Sequence, residues 1–266
     1  MRGDPDDPFV ETTGGQVHAE PLPDGIFPAM RHDMATQPPP CGAEMFLPKH
    51  HTLAALRDAI PGCRGCSLYR DATQAVFGEG PETARIVIVG EQPGDVEDRA
   101  GHPFIGPAGR LLDAALESAG IPRSEVYVTN AVKHFKFTRR GTWRLHDRPT
   151  RNEVVACRPW LATELEVLAP DIVVVCGATA AHALLGEAFR ITTSRGVVAD
   201  PTLAWWTFAT VHPAAVLRAP DHDRRVQARA QLMADFAIIG QRFHELPASR
   251  LDRSASERGR RGSSTG

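Results

Sequence analysis

The residues best suited to chemistry in this sequence are a carboxylate, an amide and an imidazole. Glu91, Asn130 and His212 each lie at or just beyond the end of an apolar segment. A carboxylate can orient or deprotonate an attacking group, an amide offers a donor and an acceptor, and an imidazole can donate to a developing negative charge. Each of the three, taken alone, also fits an ordinary turn or capping residue. Their joint occurrence at equivalent places predicts one shared site.

The apolar segments before these residues are typical of buried strands in a parallel sheet. They cover residues 84–90, 126–132, 171–177 and 205–211. Amphipathic segments predict helices over 107–118, from a capping box at 150–153 onward, from 178 to about 186, and over about 223–240. The alternation predicts a three-layer αβα sandwich with a mostly parallel four-stranded central sheet. Ligands of such folds bind outside the carboxyl ends of the strands, where the three polar residues fall.

Length and composition set broad limits on function. The chain has 266 residues, 42% of them apolar, and a formal net charge of -2. A sizeable core is therefore expected, and the overall charge does not indicate a nucleic-acid or membrane partner. No apolar run approaches the roughly 20 residues that cross a bilayer, and the first residues lack the pattern of a signal peptide. We expect a soluble, cytoplasmic monomer.

The two ends of the chain differ from its middle. Residues 1–48 are rich in proline, and residues 246–266 mix serine, glycine and arginine without an apolar period. Both compositions are typical of disordered segments. The predicted folded domain spans residues 49–245.

The five cysteines indicate metal binding rather than disulfides. They are odd in number and sparse for this length, which argues against a disulfide framework. Cys63 and Cys66 form a Cys-x-x-Cys pair, a spacing common among metal ligands. Cys176 ends an apolar segment and is expected to be buried, whereas Cys41 lies in the proline-rich extension.

The glycine-rich segments match none of the common nucleotide-binding loops. No G-x-G-x-x-G follows the first predicted strand, and no G-x-x-x-x-G-K-[ST] occurs in the chain. The sequence instead resembles the uracil-DNA glycosylases, in particular the iron-sulfur family 4. The matching motifs, in family order, are GEQPG at 90–94, GHPFIGPAG at 101–109, TNAVK at 129–133, CRP at 157–159 and HPA at 212–214.

Two departures from family 4 resemble the branch named UdgX. Family 4 has a cysteine after the lysine of its Asn-x-x-Lys segment, where this chain has His134. Residues 135–146 are an insertion that family 4 lacks, and they end in Arg144-Leu145-His146. Gln92 is also typical of the branch. In that branch the loop histidine becomes covalently attached to the DNA sugar after uracil is released, although this loop lacks the lysine-bearing run associated with it.

The resemblance implies a role for each candidate site residue. Asn130 would pair with the Watson-Crick edge of an extruded uracil, Phe104 would stack on its face, and His212 would donate to its carbonyl oxygen. His146 would capture the sugar, because a group held in place outcompetes water at an effective molarity of about 10⁵ M or more. Glu91 would orient or deprotonate the attacking group, and Arg144 would hold His146 or clamp a phosphate. The remaining expected substrate contacts are Gly90, Gln92, Pro93 and Gly94.

The resemblance also implies a metal centre. Cys63, Cys66, His134 and Cys157 would form a set of three cysteines and one histidine. Ligand softness alone fits zinc or an iron-sulfur cluster. The resemblance favours a [4Fe-4S] cluster with a structural role.

A local excess of positive charge indicates where DNA would bind. Residues 133–158 contain eight Lys or Arg and two acidic residues, interleaved with Phe135, Phe137 and Trp143. Such a segment suits the phosphates and bases of uracil-containing DNA, with single-stranded DNA favoured, although a solvated face is the alternative. Two other functions stay open: a turnover glycosylase in which water attacks, and a DNA-binding module without catalysis.

Overall fold

The computed structural model describes residues 42–199 and 206–247. The strands are β1 (Ile86–Gly90), β2 (Val126–Asn130), β3 (Phe137–Arg140), β4 (Trp143–His146), β5 (Ile172–Cys176), β6 (Gly196–Val198) and β7 (Trp206–Thr210). The α-helices are α1 (Leu53–Ala59), α2 (Asp95–Ala100), α3 (Pro107–Ser118), α4 (Arg151–Leu168), α5 (Ala178–Leu185), α6 (Pro213–Leu217) and α7 (His222–Glu245). Short 3₁₀ helices cover Ala43–Phe46, Ile60–Gly62, Ser67–Arg70 and Arg123–Glu125.

A five-stranded sheet in the order β2-β1-β5-β7-β6 forms the middle layer. The four predicted strands are present and pair in parallel, which confirms the α/β sandwich. The predicted strand number is wrong by one, because β6 adds to β7 as an antiparallel edge strand. β6 has only three residues, begins with Gly196 and is partly exposed, so it lacks the apolar run by which the other strands were predicted.

Successive residues of each central strand contribute to opposite faces of the sheet. Val87 and Val89 pack into a core with α1, α4 and α5, whereas Ile86 and Ile88 pack into a second core with α3 and α7. This alternation follows from the two-residue period of a strand. Since both faces are covered by helices, the central strands are apolar throughout and fully buried.

The inserted segment forms a second, separate sheet. The sequence showed neither a helical nor a strand period between the second strand and Thr150, yet β3 and β4 pair as an antiparallel hairpin in this region. Gly141 occupies the two-residue turn with a φ of 60°, a left-handed conformation that glycine adopts without strain. The strands are short and rich in arginine, and for that reason the pattern did not identify them.

The described residues begin at residue 42, inside the extension predicted to end at residue 48. Ala43–Phe46 form a 3₁₀ helix, Ala43 is buried, and Phe46 and Leu47 pack against the core beside α4. The rest of the predicted extension, and the tail beyond residue 247, lie outside the described residues. None of the described helices combines the length and the apolar character that a bilayer span requires.

Candidate active site at the carboxyl ends of the strands

Three of the predicted site residues converge on Gly90, the last residue of β1. A β-carbon at this position would lie 2.4 Å from Asn130 Oδ1, 2.7 Å from Phe104 Cζ and 3.2 Å from His212 Nε2. Strand pairing explains the first approach, since Gly90 is in register with Asn130 at the end of β2. The missing side chain of Gly90 therefore leaves room in which an amide, an aromatic ring and an imidazole face one another.

Phe104 is held in an unusual backbone conformation at this site. Its φ is 58°, which is rare for a bulky residue and is typical of functional loops. Its ring stacks near that of His212, with centroids 6.2 Å apart and planes at 24°. The loop passes so close to α3 that a β-carbon on Gly109 would lie 1.5 Å from the Phe104 carbonyl oxygen. Gly109 is therefore required to keep Phe104 in place.

The hydrogen bonding of His212 identifies which ring nitrogen carries its proton. Its Nδ1 accepts a hydrogen bond of 3.1 Å from the backbone N–H of Ala214, at the start of α6. A nitrogen that accepts is unprotonated, so the neutral ring carries its proton on Nε2, the atom near Gly90. Burial lowers the pKa of His212 to about 4, against a smaller opposite effect of Glu91. At neutral pH the ring is an uncharged donor toward the site.

Glu91 lies between the sheet and the hairpin. One carboxylate oxygen accepts a hydrogen bond from Thr179 in α5, and the other is 3.2 Å from His146 Nε2 at the end of β4. Burial by itself raises the pKa of Glu91, but the hydrogen bonds from His146 and Thr179 outweigh it, and the pKa is lowered. The site therefore contains an ionised carboxylate beside a histidine whose side chain is 40% exposed. Sequence reasoning missed Thr179, because a threonine in the first turn of a helix carries no distinctive signal.

Arg144 anchors the hairpin to α2. Its guanidinium pairs with Asp95 and, at 2.7 Å, with Asp98, and it donates to Thr73 Oγ1 at 3.1 Å. The side chain is only 6% exposed and lies 4.9 Å from the centre of the Phe137 ring. Of the two predicted roles, these contacts fit holding the strand that carries His146. The same contacts do not favour a phosphate clamp, because the guanidinium is already paired with the carboxylates of Asp95 and Asp98.

Gln92 fastens the base of the same hairpin. Its side-chain amide donates to the backbone oxygens of Lys136 at 3.2 Å and Asp147 at 2.9 Å, and its oxygen accepts from the Lys136 N–H at 2.9 Å. Lys136 and Asp147 flank the two strands, so one side chain ties both ends together. All three hydrogen bonds lie within the protein, and they hold the hairpin whose second strand ends at His146.

The last two residues of the GEQPG segment shape the turn into α2. Pro93 is buried, and Gly94 is the N-cap of the helix. The Gly94 N–H donates to Glu97 Oε2 at 2.7 Å, and the other oxygen of Glu97 receives a weaker hydrogen bond of 3.4 Å from Gly106. Glu97, which sequence reasoning missed, thus joins this turn to the loop that carries Phe104. Neither Pro93 nor Gly94 brings a polar side chain to the site.

Comparison with known proteins now assigns the family. Residues 77–237 match the family model described as "Uracil DNA glycosylase superfamily". This chain belongs to that superfamily. It is 35% identical over 178 residues to the type-4 uracil-DNA glycosylase of Thermotoga maritima, covering 66% of this chain and 89% of that protein. It is 37% identical over 191 residues to the type-4 enzyme of Archaeoglobus fulgidus, covering 68% of this chain and 88% of that protein.

Two of the cysteines predicted to bind a cluster lie in the protein interior and accept hydrogen bonds there. Cys63 and Cys157 are buried and accept hydrogen bonds from Trp160 Nε1 and the Lys133 N–H. Such N–H to sulfur bonds accompany iron-sulfur ligation. The pKa of Cys157 is raised to about 12, chiefly by burial and to a smaller extent by Cys66 and Cys63, against an opposite effect of Lys133.

The fourth predicted ligand, His134, is buried, which lowers its pKa to about 4 and keeps its ring neutral, the form that binds a metal. Among the described residues, no three His, Cys, Asp or Glu side chains are close enough to share one metal ion. In their chemistry, three thiols and one neutral imidazole fit the ligands of an iron-sulfur cluster. Cys176 is fully buried in the second core.

The basic segment is less exposed than its sequence indicated. Four of its cations are paired with acids inside or at the edge of the fold, namely Lys133 with Glu164, Lys136 with Glu153, Arg144 with Asp95 and Asp98, and Arg151 with Glu187. Arg139, Arg140 and Arg148 are exposed. Arg151 is also exposed but paired with Glu187, and Arg158 is half-buried, so the exposed cations of this segment without an ion pair among the described residues are these three arginines.

We predict that Gln92→Leu loosens the hairpin. The change keeps the size of the side chain but removes three hydrogen bonds, which costs about 1–3 kcal/mol of local stability. Hydrogen exchange at the Lys136 amide should become faster, because this N–H loses its acceptor on Gln92. Gln231→Leu, which removes a surface hydrogen bond to Arg195, is the control. Unchanged exchange at Lys136 would contradict the assigned role of Gln92.

The lowered pKa of His212 predicts a pH-dependent stability. An unfolded histidine binds a proton near pH 6.5, whereas folded His212 does so near pH 4. As the pH falls through this window the unfolded state gains protons first, so the free energy of unfolding should fall, by at most about 3 kcal/mol. Urea unfolding of wild type and His212→Gln from pH 7 to 4 measures the effect. The variant should lose less stability, and parallel curves would refute the prediction.

Proposed function

We propose that this protein excises uracil from DNA and becomes covalently linked to the resulting sugar through His146. The observation that carries the first part is the convergence of Asn130, Phe104 and the Nε2 proton of His212 on the space above Gly90. These groups match the needs of an extruded uracil: an amide for its pairing edge, a ring for its face and a neutral donor for its carbonyl oxygen. Gly90 admits the base because any side chain there would fill the same space.

Bond cleavage would separate charge across this site. The bond between C1′ of the sugar and N1 of uracil breaks, its electron pair leaves with the base, and the sugar becomes cationic. The donor on His212 would stabilise the base anion, while the ionised carboxylate of Glu91 would stabilise the cation. Because both groups are fixed before the reaction, little reorganisation is needed as the charges form.

His146 would then capture the sugar. A ring nitrogen gives its lone pair to C1′, which makes the ring cationic, and loss of the remaining N–H proton through Glu91 to the uracil anion restores neutrality in both products. The pairing of His146 Nε2 with Glu91 at 3.2 Å supports this proton path. Anchoring of the hairpin by Arg144 and Gln92 supports the high effective molarity that lets nitrogen compete with water.

A denaturing gel with uracil-containing single-stranded DNA tests the proposal. Wild type should give a slowly migrating adduct that survives detergent and heat, and His146→Ala should give none. Glu91→Gln should slow single-turnover excision about 10²- to 10³-fold, because the negative charge that would stabilise the sugar cation is lost. The matched control is His102→Ala, which removes a surface histidine that also lies 3.2 Å from a carboxylate, that of Glu79.

Two results would overturn the covalent part or the whole proposal. An alkali-labile abasic strand without adduct would identify a turnover enzyme in which water attacks. Neither adduct nor abasic strand would identify a DNA-binding module without catalysis.

We further propose that Cys63, Cys66, His134 and Cys157 hold a [4Fe-4S] cluster. When bound, the cluster would supply cross-linking rather than catalysis, because its ligands join the segment at 63–66 to the start of the hairpin at 134 and to α4 at 157. The N–H donors from Trp160 and Lys133 would remain directed at ligand sulfurs. Such a link would fix the end of β2 and hence Asn130.

Colour and metal content test the cluster independently of activity. The purified protein should be brown and contain iron and sulfide. Cys157→Ser should lose the colour and the iron and sulfide, and its thermal stability should fall. Cys176→Ser, another fully buried cysteine, should keep the colour. A colourless protein that contains zinc would refute the assignment.

A further inference from the structure

The two faces of the hairpin differ in what they contact. Cross-strand pairing places Phe137 opposite His146 and Arg139 opposite Arg144 on one face, where Arg144 is buried. The other face carries the pairs Thr138 with Leu145 and Arg140 with Trp143. On this outer face Trp143 is 75% exposed and Leu145 is 47% exposed.

Exposure of a tryptophan at this place has no structural explanation within the described residues. The two other aromatic residues of this segment have partners within the protein: Phe135 is buried, and the Phe137 ring contacts the guanidinium groups of Arg139 and Arg144. Trp143 has no ring partner or cation-π partner among the described residues. Its indole is therefore available to an external flat surface.

Charge on the hairpin points to nucleic acid as the occupant. Arg140 lies beside Trp143 in the strand register, Arg148 is exposed just beyond β4, and within the described residues neither makes an ion pair. An exposed aromatic side chain flanked by unpaired cations is the combination with which proteins bind single strands, by stacking on bases and attracting phosphates. A protein partner of acidic character would satisfy the cations but would not need a flat aromatic group.

We infer that Trp143 stacks on an unpaired base that neighbours the excised uracil, with Arg140 contacting the backbone beside it. This inference rests on the proposed function, since His146 marks the position of the reacting sugar. Trp143 is three residues from His146, or about 10 Å along the strand. Stacked bases are about 3.4 Å apart, so the contacted base lies within about three nucleotides of the uracil.

The same contact makes the protein selective for single strands. A base within a duplex has both faces covered by its neighbours and cannot accept the indole without being unstacked. Trp143 should therefore add affinity for single-stranded DNA and little for duplex DNA. The Trp143 contact would thus favour single-stranded over duplex DNA, a distinction that the pocket above Gly90 does not make by itself.

Binding measurements with a paired change in protein and DNA test the inference. The probe is a single-stranded oligonucleotide in which the uracil nucleotide carries a 2′-fluorine to block cleavage. Its binding to the protein is measured by fluorescence anisotropy. Trp143→Ala should weaken binding about 5- to 100-fold, whereas Trp143→Phe should keep most of the affinity. Val197→Ala, an exposed apolar strand residue on the far edge strand β6, should have no effect.

Removing single bases from the DNA identifies the stacking partner. An abasic site at one of the three positions on either side of the uracil should weaken wild-type binding as much as Trp143→Ala does, and the variant should be insensitive to that same change. Equal affinity of Trp143→Ala and wild type, or equal abasic effects in both proteins, would overturn the inference. These contradicting results are expected if Trp143 is covered by another protein or by another segment of this chain instead of by DNA.

Catalysis separates failure of this inference from failure of the proposed function. At saturating DNA, Trp143→Ala should still excise uracil and form the adduct, because Trp143 lies on the face opposite His146. If wild type excises uracil but binding does not depend on Trp143, only the stacking contact is wrong. If wild type excises no uracil, the proposed function itself is wrong.

Discussion

The parallel register of β1 and β2 is the constraint on which the site depends. It places Gly90 beside Asn130 at the end of two central, fully buried strands. Helices cover both faces of the sheet, so a polar group can reach a ligand only beyond these ends. Because Gly90 has no side chain, the space that another residue would fill is bordered by Asn130, Phe104 and His212. The position of this space is therefore set by the pairing of two buried strands.

The hairpin meets a different requirement, since it places His146 beside Glu91 from an inserted segment outside the sheet. A two-stranded hairpin is marginally stable alone. Here Arg144 pairs with Asp95 and Asp98, and Gln92 bonds to the backbone at both ends of the hairpin. Removing one partner of such a buried pair would leave an uncompensated charge, so these contacts hold the hairpin in one position. The acids and Gln92 come from the residues directly after β1, which links the hairpin to the pocket.

The sequence was sufficient for whatever depends on local pattern. The four parallel strands, the capping box of α4 and the location of Glu91, Asn130 and His212 all follow from apolar periodicity and strand order. Contacts between distant segments were not predictable, because no pattern states that Arg144 would turn inward to Asp98 or that Gln92 would bond to Asp147. Counting the charges of the inserted segment overestimated its exposed cations for the same reason.

The tautomer of His212 shows how backbone geometry determines chemistry in this fold. β7 ends at Thr210, two residues before His212, and Pro213 starts α6, so the first free N–H of that helix belongs to Ala214. This N–H meets His212 Nδ1 and leaves the proton on Nε2, toward Gly90. A protonated ring would need to break that hydrogen bond, since both of its nitrogens would be donors. The helix start therefore favours the neutral ring in addition to burial, and a His-Pro pair at the end of a strand is enough to build an oriented, uncharged donor.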